Sequence, residues 1–274
     1  MKKLMLILTV SVTALFASSQ SKADIEVSYD YCFVNALSSD GSKSTYNYHL
    51  LSNGRESKFF SPVSEAIDSL KSTPEGEKVL NDMRRALIDK GDFKNMPRKK
   101  GSFYVVKSFP ESRIDFYEEI GVGKSVSADS IGNIAWSIEA DSVKNLLGYE
   151  CVKATADYHG RKWTVWFAPE IPVSDGPWKL HGLPGLILEA VEPSGQHAFF
   201  ATGVEQTDKM IKPVYGHGDY EKIDRISQMK SKRAFYDNPL GAINAMSAGK
   251  VKIVNGDLKT DKNVDFLETD YRKH

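Results

Sequence analysis

From Ile25 to Phe33 the odd positions are apolar and the even ones mostly polar, the period of two that a half-buried strand requires. A second run of this kind spans 45–51 and stops before the turn dipeptide Asn53-Gly54. The period then changes. Ser61-Pro62 and Thr73-Pro74 each set a capping residue before a proline suited to the first helical position. Val63, Ala66, Ile67 and Leu70, then Val79, Leu80, Met83, Ala86 and Leu87, recur at helical spacing, so two amphipathic helices are predicted, the second closed by Gly91. Strand runs return at 103–107, 113–120, 134–138, 149–158, 162–168, 186–191 and 197–202. Their links are too short for crossover helices, which predicts antiparallel pairing, and His159-Gly160 has hairpin length. Two further helices are expected, one capped at Asp219 with Ile223, Ile226 and Met229 in register, the other opened by Asn238-Pro239, and a last strand at 251–254. The expected fold is α+β, a large antiparallel sheet with helices on one face, forming a single domain over 24–274.

The amino terminus changes the picture of where this domain resides. Lys2-Lys3 precede an apolar run from Leu4 to Ala17, and Ser21-Lys-Ala23 puts small residues at the two positions that define cleavage. We read 1–23 as a secretory signal cleaved after Ala23, since the run falls short of the roughly 20 residues that span a bilayer. The expected location is periplasmic or secreted. The 274 residues carry 36 basic and 36 acidic side chains, and the leader takes three lysines and no acid with it. The remaining charge of about −3 is too weak a field to select nucleic acid. Cys32 and Cys151 are the only cysteines. In an oxidising compartment they are expected either as a disulfide, which would set the first strand beside the one starting at Tyr149, or as two free thiols.

Candidate chemistry concentrates near one loop. Residues 169–185 are irregular in pattern, yet Ile171, Val173, Trp178 and Leu183 would each cost about 1.5–3 kcal/mol in water relative to burial, so the loop should pack onto the sheet. Leu183-Pro184-Gly185-Leu186 has the composition of a type II turn, with Gly182 just before it. Trp163, Val165 and Phe167 occupy one face of their strand and Trp166 the other, so both faces need cover. Trp163, Trp166, Trp178, His181 and Leu183 therefore outline a candidate apolar groove. His181 is also a candidate general base, with Asp175 and Glu189 nearby in sequence to orient it, although Ser174 is a weak nucleophile without an elbow motif. No ligand spacing suggests a metal, and Gly123-Lys124-Ser125 lacks the leading glycine of a phosphate loop, so no cofactor is expected. Pro97-Arg-Lys-Lys-Gly101 is a compact basic turn, read as solvated or as a contact for anionic headgroups.

The segment 178–189 contains Gly-Leu-Pro-Gly-Leu-Ile at 182–187. Together with Leu147-Gly-Tyr-Glu-Cys151, Trp166-Phe-Ala-Pro-Glu-Ile-Pro172 and Gly176-Pro-Trp178, it resembles the GLPGLI family of exported Bacteroidota proteins. The resemblance implies a secreted or periplasmic protein and carries over no catalytic residue. The sheet-plus-helix pattern is also similar to the half-barrel periplasmic carriers of lipoproteins. The expected function is non-catalytic binding or carriage of a hydrophobic ligand or envelope partner, such as a lipid, a peptide or an outer-membrane protein. A hydrolase using His181 and a structural or accessory partner of outer-membrane transport are the alternatives.

Overall fold

A computed structural model of the chain describes residues 21–35, 42–101, 103–246 and 264–273. The expected leader up to residue 20 and the expected strand at 251–254 lie outside the described residues. Strands β1 (Ile25–Val34), β2 (Lys43–Ser52), β3 (Glu56–Phe60), β4 (Phe103–Ser108), β5 (Arg113–Ile120) and β6 (Gly123–Ser130) form one antiparallel meander. A second meander comprises β7 (Ser137–Leu146), β8 (Tyr149–Tyr158), β9 (Arg161–Ala168), β10 (Leu186–Val191) and β11 (His197–Gln206). Pairing of β1 with β11 joins the two, and β12 (Glu221–Lys222) adds a short parallel edge to β6, giving one open twelve-stranded sheet. No helix among the described residues is long and apolar enough to cross a membrane.

Alternation divides the side chains of β1 as its sequence predicts. Val27, Tyr29 and Tyr31 enter the main core, which continues through Tyr48, Leu50, Phe59, Val105 and Phe116 to Trp163 and Phe167. A smaller core on the opposite face gathers Leu51, Phe60, Tyr104 and Val126 under the segment carrying Ile211, Val214 and Tyr220.

The helices divide between these faces, which corrects the expectation that one face holds them all. Helix α1 (Pro62–Lys71) places Asp68 at 2.5 Å from the Tyr104 hydroxyl, on the smaller-core side, and α2 (Pro74–Asp89) packs on α1 with Thr73 accepting from Gly76 N as its cap. Helix α3 (Arg225–Asp237) puts Met229 into the main core, while Gln228 bonds Ser127 and Ser125 of β6. Its cap is Asp224, not Asp219, and α4 (Pro239–Met246) follows directly. Segment 264–273 crosses the main face, burying Phe266, Leu267 and Tyr271.

The strand order also corrects the expected disulfide. Between β1, which carries Cys32, and β8, which carries Cys151, lie β11, β10 and β9. At about 4.8 Å per strand that separation is near 19 Å, far beyond what a disulfide spans. Both thiols are free, and Cys32 contacts the Thr45 hydroxyl instead.

Candidate functional site

The loop at 169–185 packs onto the main face as its apolar residues require, with Ile171, Trp178, Leu180 and Leu183 buried. A charged side chain anchors it. Phe103, Val105 and Lys107 alternate on the inner face of β4, so the lysine is directed into the core. Its Nζ donates to Asp175 Oδ1 at 2.5 Å, to Gly176 O at 2.8 Å and to Leu180 O at 3.1 Å, and Ser52 Oγ donates to the other Asp175 oxygen at 3.0 Å. Lys107 and Asp175 are both 0% exposed. Burial pulls the Lys107 ammonium below its ordinary pKa, and Asp175 opposes that pull.

The signature turn has a different physical basis from the expected one. Leu186 N donates to Ile171 O rather than closing a turn on Leu183, and Gly185, at φ 159°, is nearly extended. Gly185 is required by close approach: a Cβ there would lie 2.3 Å from Ala168 O and 2.9 Å from Pro169 Cα. Gly182, at φ 92°, is the residue needing left-handed freedom, while Pro184 is exposed.

The candidate triad does not assemble. His181 Nδ1 lies 2.8 Å from Lys179 O and Nε2 3.0 Å from Gly132 O, while its own carbonyl accepts from Trp136 Nε1. Burial and the nearby Lys107 lower its pKa, opposed by the two carbonyl contacts. Asp175 is taken by Lys107, and Glu189 pairs with Lys144 at 2.7 Å. The candidate groove is also filled: Trp163 and Trp178 are fully buried with ring centroids 5.7 Å apart, and Leu183 joins the same core. Trp166 faces the other side, under the Lys144 ammonium at 4.4 Å.

Beside Trp178, the β8–β9 hairpin turns through His159 and Gly160 at φ 48° and 82°. His159 Nε2 stands 3.2 Å from Asp129, and Nδ1 stands 3.4 Å from Asp270 and 4.0 Å from Glu268. Lys179 lies 2.7 Å from Glu268 and 3.6 Å from Asp129, while Arg225 reaches Glu268 at 2.6 Å, Asp270 at 2.8 Å and Asp129 at 3.6 Å. His159, Glu268 and Asp270 bring potential ligand atoms within 4.8 Å of one another. Lys179 and Arg225 already supply the positive charge those carboxylates need, so the cluster reads as an ion network.

Open space lies elsewhere on the same face. A cavity of about 360 Å³ is bounded by β1, β2, β4 and β5, by α3, and by the 264–268 segment. Tyr48 and Phe103 stack at 4.8 Å between centroids, Phe103 and Phe116 at 5.5 Å, and Tyr31 meets Phe103 edge-on at 6.0 Å. His197 holds Tyr31 in place. Its Nε2 faces Asp265 O at 2.9 Å and therefore carries the proton, leaving Nδ1 to accept from the Tyr31 hydroxyl at 2.8 Å. Burial, reinforced by Arg161, pushes this imidazole down to about 3. Glu118 lines the cavity opposite Phe103 in the β4–β5 register and accepts from Lys232 Nζ at 2.5 Å. Sequence reasoning missed this residue, although the alternation Ile114, Phe116, Glu118 places a carboxylate at an inward position. A second cavity of about 580 Å³, lined by Arg161, Glu192 and Arg272, is polar, and Arg161 is engaged by Glu192 at 3.1 Å.

With this geometry, the comparisons with known proteins bear on fold and leave chemistry open. No curated protein matches the chain. Two solved structures of PNGF-II are similar at 13% identity. The C2 crystal form has a TM-score of 0.50 over 80% of this chain and 33% of that one, and the P21 form 0.49 over 76% and 32%. The chain thus spans about a third of the length of those proteins, and the likeness is one of fold alone. Residues 157–189, from the end of β8 through the signature loop to β10, match the family described as a protein of unknown function, Porph_ging.

Proposed function

We propose that the protein is a non-catalytic, exported binding protein whose ligand occupies the aromatic cavity between β1, β2, β4, β5 and α3. The observation that carries this reading is the cavity, about 360 Å³ in volume and walled by stacked rings with a few convergent polar groups. That size and lining suit a small organic ligand. The catalytic alternative has no support in the geometry around His181, whose nitrogens both meet carbonyl oxygens.

The leader-like amino terminus supports export. Ala23 is buried, its N–H bonds Lys209 O, and Ser21 O accepts from Ile211 N, so cleavage after Ala23 would strip part of the smaller core. Processing upstream of Ser21, with Ala17 and Ser19 as the small residues, preserves these contacts. Native mass spectrometry of the protein recovered from outside the cytoplasm tests both points. The expected mass retains Ser21 and shows uptake of small aromatic compounds, which Val34→Trp at the cavity wall abolishes without loss of fold. No uptake by the parent, or equal uptake by the variant, overturns the binding reading.

A further inference from the structure

The ionised groups around the aromatic cavity differ in how completely they are partnered. Glu119 receives Lys99 and the Tyr220 hydroxyl, Glu268 receives Lys179 and Arg225, and Asp265 receives Arg272. Glu268 Oε1 lies 2.7 Å from the Lys179 ammonium without hydrogen-bond geometry, and Glu118 is less complete still. Its Oε1 is held by Lys232, but Oε2 is buried and among the described residues has no hydrogen-bond partner, a shortage that the buried Tyr48 hydroxyl on the same cavity shares. A buried carboxylate oxygen lacking a donor is costly, and a fold retains such an oxygen where something else supplies the donor.

The surroundings specify the donor. Glu118 stands across from Phe103 and shares the inner face of β5 with Phe116, so the acceptor lies among ring faces. Aromatic faces are electronegative and attract cations, and they disfavour anions. Four carboxylates and two ammonium groups line the cavity, while His197 is neutral. Resting on the binding reading above, we infer that the ligand is a protonated amine on an apolar or aromatic body, its ammonium donating to Glu118 and its body lying against the Phe103 and Phe116 rings. Lys232 remains the partner of Oε1 and lies 4.7 Å over the Phe266 ring.

Calorimetric titration of the processed full chain with tryptamine, tryptophol and indole-3-acetate tests the charge preference on one scaffold. Tryptamine should bind roughly tenfold more tightly than tryptophol, with the acid weakest. Glu118→Gln should reduce tryptamine to the level of tryptophol, and the comparison among ligands on the parent protein stands even where that variant folds poorly. Equal binding of amine and alcohol overturns the amine inference and leaves the cavity reading intact. Binding of none of the three, with no aromatic compound taken up in the mass spectrometric test, overturns both.

Discussion

The signature loop and the aromatic cavity share one face of the sheet, and each contains a charged residue projected inward by strand alternation. Under the loop, Lys107 uses all three ammonium donors on Asp175, Gly176 and Leu180, and Asp175 is in turn saturated by Ser52 and the Gly176 amide. In the cavity, Glu118 has one oxygen bonded by Lys232, and the other has no hydrogen-bond partner among the described residues. Saturation marks a joint whose purpose is to hold the loop down. Shortage beside open volume marks a place for something to bind. The region most easily identified in the sequence is therefore architectural, and the better functional candidate lies elsewhere on the same face.

The largest expected effect breaks the joint. Lys107→Met leaves Asp175 as an unpaired charge with no access to water, which should destabilise the fold by about 3–5 kcal/mol in urea unfolding. Lys107→Met combined with Asp175→Leu should recover a large part of that loss, because an apolar pair restores a neutral interior. Glu118→Gln should cost about 1 kcal/mol, since the residue is already half-satisfied. Equal losses for Lys107→Met and Glu118→Gln would erase the distinction between joint and site.

A smaller effect is expected at Gly185. Its neighbours are backbone atoms of Ala168 and Pro169, which cannot rotate away from a new methyl, so Gly185→Ala should cost about 1–3 kcal/mol. Gly182 is exposed and has only the Trp136 ring near, at 3.7 Å. Gly182→Ala therefore bears only the strain of its positive φ, at the low end of about 1–3 kcal/mol. Thermal unfolding that ranks Gly182→Ala as the more damaging would show that turn conformation, and not backbone contact, sets the loop.

The elements were legible wherever hydrophobic period is the cause of structure, as in β1, β4, β5, β8 and β9. Strand β6 was missed because Gly123-Lys-Ser-Val-Ser-Ala-Asp-Ser130 has little alternation, and its place is secured by its ladder to β5. Burial of Trp178 and Leu183 followed from their cost in water, but a loop apolar enough to need burial fills its own groove. Lys107 and Glu118 carried the most informative signal, each a charge at an inward position of an alternating strand. Which of them would be saturated depends on long-range contacts, since Asp175 and Lys232 are distant in sequence. The disulfide expectation failed for the same reason: strand order was not encoded in local pattern.

The smallest effect concerns the hairpin clasp, where three carboxylates, Asp129, Glu268 and Asp270, surround two basic side chains, Lys179 and Arg225. Protonated His159 balances the set. Burial opposes that charge, but Asp129, Asp270 and Glu268 prevail, so the folded pKa lies above the ordinary imidazole value. A raised folded pKa gives a stabilisation that is complete below the unfolded pKa and disappears as pH rises through the folded one. His197, pushed down to about 3, has the opposite sign and gives stability that is lost on acidification, so the parent's profile mixes the two. Subtracting the profile of His159→Gln isolates the clasp. The difference should be largest in mild acid and shrink towards alkaline pH. Protection of the Thr269 amide, which donates to His159 O at 2.9 Å, should fall with it. A pH-independent difference would mean that His159 acts in the hairpin through its shape, with no contribution from its charge.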